Sequence, residues 1–126
     1  MRREEIANEL LASANKNGVV ATLYGIFGKN VKVSVPFSRV ACDTSIDDID
    51  FSPRASNSLK RAGLFTIGEV IDLIADDRLL RIRNLGKKTQ NEIKTRIMVF
   101  GYESLNENEK KRFFYDVIER NIVKST

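Results

Sequence analysis

A chain of 126 residues, 42% hydrophobic and 30% charged, has enough apolar side chains for one modest folded domain or two very small ones, which excludes a disordered chain. It has no histidine and a single cysteine, Cys42, which excludes imidazole acid–base chemistry, a Cys/His zinc site and an internal disulfide. The formal net charge of +4 hints weakly at an anionic partner, and no apolar run approaches the roughly 20 residues that span a bilayer.

The N-terminal part, residues 1–44, opens with "MRREEIANEL". The acids Glu4 and Glu5 and the lack of an apolar core there do not fit a secretory signal. With one cysteine, the expected compartment is the reducing cytoplasm. Ile6, Leu10, Leu11 and Ala14 recur at helical spacing, and Gly18 is the expected stop. "VVATLYGIF" and "VKVSVPF" read as two strands around a "GKN" turn, because Val31, Val33 and Val35 alternate with Lys32 and Ser34. The expectation is a helix plus a β-hairpin, too small for stability alone. The hairpin's edge would offer a route to a homodimer.

Residues 45–104 read as several short helices. Ser52 followed by Pro53 is a helix-start signature, with Gly63 as the stop. Thr66 and Glu69 have capping-box spacing ahead of Val70, Ile71 and Ile74. "ADDRLLRIRNLG" predicts a further helix, with Asp76 as its cap and Leu79, Leu80 and Ile82 apolar. A longer helix follows Gly86, with Ile93, Ile97 and Phe100 on one side and Gly101 as its end. The last part, 105–126, starts with Asn106 and Glu109 in capping relation. Phe113, Phe114, Val117 and Ile118 then form an amphipathic face. "KKR" at 110–112 reads as a solvated face.

Charge is segregated. Residues 45–104 hold ten Lys or Arg and nine Asp or Glu, yet from 81 to 96 there are six bases and one acid, Glu92. Acids gather at Asp47, Asp48 and Asp50 and at Glu69, Asp72, Asp76 and Asp77. They read as solvated residues and helix caps rather than as a magnesium site, and no cofactor or metal is implied. "RNLGKKTQNEIK" (83–94) sets a glycine before two lysines where a new helix begins. The dipole at a helix start disfavours cations, so the pattern fits an external anion reaching the N–H groups beside Lys88 and Thr89. Solvated lysines after a simple turn fit that stretch equally well.

Two motifs carry a resemblance. They are "IDDIDFSPRASNSLKRAGLFTIGEV" (46–70) and "RNLGKKTQNEIK" (83–94). In this order and spacing they resemble the C-terminal domain of the bacterial RNA polymerase alpha subunit. The likeness covers about 60 residues, 45–104. It implies a mainly α fold, a compact bundle of short helices with helix-hairpin-helix-like units. To this the N-terminal helix and hairpin are added. The resemblance also implies a non-enzymatic DNA-binding module that acts in transcription through the minor groove of A·T-rich DNA. Carried over by residue, Arg54 enters the groove and Asn57 assists it. Asn84 and Gly86 are turn residues near the backbone. Lys88 and Thr89 contact phosphate, and Glu92 orients the basic residues. Thr89 stands where serine is more usual. Residues 1–44 do not resemble the alpha subunit's large assembly domain. The alternative is a protein-interaction module, docking on polymerase or a transcription factor, that has kept the scaffold and lost DNA.

Overall fold

The computed structural model describes residues 2–28, 30–76, 78, 82 and 85–121. The helices there are α1 (Arg2–Asn17), α2 (Val19–Phe27), α3 (Arg39–Cys42), α4 (Pro53–Arg61), α5 (Ile67–Ala75), α6 (Lys87–Glu103) and α7 (Glu107–Asn121), with a 3-10 turn at Ile46–Asp48. The molecule divides into two units, residues 1–36 with 102–126, and residues 37–101. The fold is mainly helical, as expected.

The expected β-hairpin does not form: the described residues contain no strand, only an isolated bridge between Ser45 and Thr66. "VVATLYGIF" is helix α2. Its buried residues, Val19, Thr22 and Leu23, recur at helical spacing, and α2 packs on α1. A short apolar run fits either period, and here packing outweighs the β preference of its valines. Gly18, with φ of 93°, ends α1 and lets α2 fold back. Thr22 spends its hydroxyl locally, donating to the Gly18 carbonyl at 3.0 Å and meeting Ser13 Oγ at 2.8 Å.

"VKVSVPF" forms neither strand nor helix. Its alternation survives as half-buried Val31, Val33 and Val35 against exposed Lys32 and Ser34. The Asn121 side chain takes the place of a partner strand. Its Oδ1 accepts the Lys32 N–H at 2.8 Å, and its Nδ2 donates to the Lys32 carbonyl at 2.8 Å. With the hairpin gone, the homodimer route it offered has no structural basis.

The rest of this unit is α1 packed on α2 and α7. Ala7, Leu10 and Ala14 of α1 are buried, as are Phe113, Phe114, Val117 and Ile118 of α7. The α7 start is the expected reciprocal cap: Asn106 N–H donates to Glu109 at 2.9 Å, and Glu109 N–H to Asn106 Oδ1 at 2.8 Å. Tyr102, Phe113 and Phe114 meet edge-to-face with centroids 5.1–5.6 Å apart. Such pairs add about 0.5–1.5 kcal/mol each beyond burial. Gly101 does not stop α6, which runs on to Glu103. Gly101 is buried and Tyr102 has its ring partners, so packing overrides glycine's weak helix propensity.

In the other unit, Ile46, Ala55, Leu59, Ile67, Val70, Leu85, Ile93 and Ile97 form the core. Ser52 caps α4 by accepting the Ala55 N–H, and Pro53 fills the first turn. At the far end Gly63 (φ 83°) and Leu64 turn back, their N–H groups donating to the Lys60 and Leu59 carbonyls at 3.0 and 2.9 Å. A five-residue link (62–66) then reaches α5, whose Thr66–Glu69 capping box forms as expected. The Phe65 and Thr66 N–H groups hold the Glu69 carboxyl below its usual range. Segments 44–46 and 65–67 are laced by Ile46 N–H to the Phe65 carbonyl (3.0 Å) and Ile67 N–H to the Thr44 carbonyl (2.9 Å). Asp76 closes α5 rather than opening the next helix. Most of that expected helix, including Asp77, Leu79 and Leu80, lies outside the described residues.

Two substitutions test this packing. A Cβ on Gly68 would lie 3.0 Å from Cys42 Cβ and 3.1 Å from the Cys42 carbonyl oxygen. Gly68→Ala should therefore destabilise by roughly 1 kcal/mol net, because an overpacking cost of about 1–3 exceeds a helix-propensity gain of about 1. A raised urea midpoint would contradict the close α3–α5 contact. The Tyr102 hydroxyl is buried without a hydrogen-bond partner among the described residues. Burial, then the Glu107 charge, pushes its pKa up to about 12 from 10. The folded state thus resists an ionisation that the unfolded chain undergoes near pH 10. The stability of the neutral phenol is complete below pH 10 and is lost as pH rises toward 12. Tyr102→Phe should gain about 1 kcal/mol near pH 8. Its advantage should widen between pH 10 and 12, read by chemical denaturation across pH.

Candidate nucleic-acid interface

The sequence-derived residues that are described lie in α4 and at or just before the first two turns of α6, in the 37–101 unit. Along α4, Ala55, Ser58 and Leu59 point into the core, which leaves Arg54 and Asn57 facing outward. Arg54 lies in the first turn, two residues after the Ser52 cap. It makes no ion pair among the described residues. Lys60, expected in the same basic cluster, is instead paired with Asp47 at 2.6 Å.

On α6, Thr89, Gln90, Ile93 and Ile97 face inward, and Lys87, Lys88 and Lys94 are exposed. Lys87 and Lys88 occupy the first turn, which carries no acid. By contrast α1, α5 and α7 all place glutamates there. The cost of cations at the α6 start is a few tenths of a kcal/mol, about 0.3–1 at most on an exposed surface.

Gly86 accepts the Gln90 N–H at 3.0 Å and so stands at the head of α6. Its backbone is not in the left-handed region, and a Cβ added there would meet nothing within 4 Å. Nothing among the described residues requires a glycine at this position. Thr89 is only 9% exposed, so its hydroxyl is less accessible than a phosphate contact would suggest. Asn84, the remaining member of the set, lies outside the described residues.

Glu92 has a definite task. Its Oε2 accepts the Ser52 N–H at 2.7 Å, and its Oε1 accepts the Ser52 hydroxyl at 2.8 Å. One carboxylate of α6 is thereby fastened to the cap of α4. Arg54 follows Ser52 by two residues, little more than half a helical turn, and Lys88 precedes Glu92 by four, about one turn. The cap of α4 thus meets the second turn of α6, and Arg54 and Lys88 are exposed cations close in sequence to that contact.

Two contributors escape a reading by motif. Ser52 reads as a cap, with no sign of its distant partner. Gln90 is 6% exposed and donates from Nε2 to the Leu85 carbonyl at 3.1 Å, fixing the backbone just before Gly86. A polar residue in register with Ile93 and Ile97 is its signal, since an amide on an apolar stripe must find a buried partner. Gln90→Leu should cost about 1–3 kcal/mol by leaving that carbonyl unpaired. An unchanged thermal midpoint would contradict the role given to the amide.

Among the described residues no group of acids, Cys or His could hold a metal ion, and no helix is long and apolar enough to cross a membrane. Residues 38–99 match the family model for the C terminal domain of the bacterial RNA polymerase alpha chain. Among curated relatives, the DNA-directed RNA polymerase subunit alpha of Symbiobacterium thermophilum is 42% identical over 59 residues, 47% of this chain and 18% of the relative. The same subunit of Clostridium kluyveri is 39% identical over 67 residues, 53% of this chain and 21% of the relative. No solved structure matches the protein. This chain thus spans about a fifth of the length of those relatives. Over residues 38–99, which hold both helix starts and their clasp, it resembles the C-terminal domain of the bacterial RNA polymerase alpha subunit.

Proposed function

We propose that the 37–101 unit is a non-enzymatic DNA-binding module that grips duplex DNA at A·T-rich minor groove and acts in transcription. The observation that carries this reading is the Ser52–Glu92 contact. It ties the cap that precedes exposed Arg54 to α6, whose first turn carries exposed Lys87 and Lys88, and so supports a shared surface. Arginine suits a narrow A·T groove, where negative potential is concentrated. Asn57, one turn along α4, is placed to assist at the groove edge. The α6 start suits a phosphate: its first N–H groups and dipole favour an anion, and Lys88 adds a charged donor. Gly86, with open space where a Cβ would be, leaves room for a sugar-phosphate backbone to approach. Within this reading Thr89 is a minor contributor and Glu92 holds the basic residues in place. Asn84 enters this reading through the resemblance alone.

A second reading has its own support. Val40 is 80% exposed and Phe65 55% exposed, an apolar exposure suited to a protein partner. The relatives are subunits of DNA-directed RNA polymerase. A docking module for polymerase or a transcription factor is the alternative.

Fluorescence titration of an A·T-rich duplex at several salt concentrations separates the two. Arg54→Ala should cost about 1–3 kcal/mol and erase the preference for A·T over G·C duplex. Lys88→Ala should weaken binding to both duplexes and lower the salt slope by about one. If both variants bind as the parent does, the DNA reading fails. A parent that ignores DNA but retains a specific protein partner favours the docking module.

A further inference from the structure

Glu92 is an acid on a surface proposed to bind a polyanion, where a free carboxylate would repel phosphate. Its two oxygens are both engaged by Ser52, through the N–H at 2.7 Å and the hydroxyl at 2.8 Å. Glu92 is half-buried rather than exposed. Ser52 Oγ also accepts the Ala55 N–H at 3.2 Å, so one hydroxyl serves as both the helix cap and half of the clasp.

We propose that Ser52 and Glu92 are positioning residues, a clasp that locks the starts of α4 and α6 in register so that Arg54 and Lys88 engage one duplex together. This rests on the DNA-binding reading and adds Ser52 to it. Ser52 and Glu92 touch no nucleic acid. They act through the backbone that carries Arg54 and through the helix turn that carries Lys88. The same carboxylate that would repel phosphate if free is turned inward, and its charge is offset by two donors.

The clasp depends on hydrogen-bond geometry, and its negative charge is incidental. Glu92→Gln preserves that geometry, because an amide oxygen accepts the Ser52 N–H while an amide N–H donates to Ser52 Oγ. Glu92→Ala removes it. Ser52→Asp keeps the α4 cap, since aspartate caps as well as serine, but sets a second carboxylate against Glu92. The double change Ser52→Asp with Glu92→Gln restores a donor–acceptor pair.

The test is duplex titration of the full-length protein across salt, with thermal melting run beside it. Binding near parent level, or tighter, is expected for Glu92→Gln. Glu92→Ala and Ser52→Asp should each weaken binding about tenfold and lower the salt slope by about one, as one helix start loses its phosphate contact. The double change should recover the slope. A purely structural role would shift melting and leave the slope of the folded protein unchanged, and that result overturns the proposal. So does equal loss in Glu92→Gln and Glu92→Ala, which would assign the effect to charge. A parent that binds no duplex sinks the DNA reading itself, and the clasp's role with it. A binding parent whose slope survives Ser52→Asp and Glu92→Ala sinks the clasp alone.

Discussion

The carboxylate of Glu92, held by both donors of Ser52, is the contact on which the functional surface depends. Helix starts are the parts of a fold where backbone donors lack partners, so their placement decides what a helical unit can bind. Two such starts in one small unit give a grip only if they are fixed relative to each other. Ala55 and Leu59 of α4 share one buried cluster with Ile93 and Ile97 of α6. Packing of apolar side chains alone tolerates small shifts. A hydrogen-bonded pair tolerates fewer, because its strength falls steeply with distance and angle.

Around that contact the local chemistry is consistent. Pro53 presets the backbone of the first α4 turn, and Ser52 caps a turn that contains no acid of its own. Gly63 in the left-handed region ends α4 cleanly. Gln90 spends its buried amide on the Leu85 carbonyl and steadies the approach to Gly86. Each device holds backbone in place so that Arg54 and Lys88 can stay turned outward. Acids elsewhere in the unit are used differently: Asp47 pairs with Lys60, and Glu69 closes its own capping box. The lysines that head α6 therefore face no acid in their own turn.

Much of this is legible in the sequence because it is local. The caps at Ser52, Thr66 and Asn106 and the turn at Gly63 involve residues within a few positions of each other. The apolar face of α7 follows one period over two turns. The N-terminal segment misleads because "VVATLYGIF" is apolar almost throughout and opens on two β-branched residues, so period does not separate strand from helix. Contact with α1 decides it. Gly101 misleads for the same reason, since tertiary packing overrides a local signal. The Ser52–Glu92 contact links residues 40 positions apart, and no local pattern announces it. The motif set is legible through the alpha-subunit resemblance, but the task of Glu92 within it appears only in three dimensions.

The most direct test of a single, clasped grip is an amide NMR titration with a short A·T-rich duplex. The account predicts that the amides of 54–57 and of 86–89 shift together, with one midpoint, while those of α1 and α7 stay still. Shifts confined to one of the two helix starts, or separate midpoints for them, would contradict it.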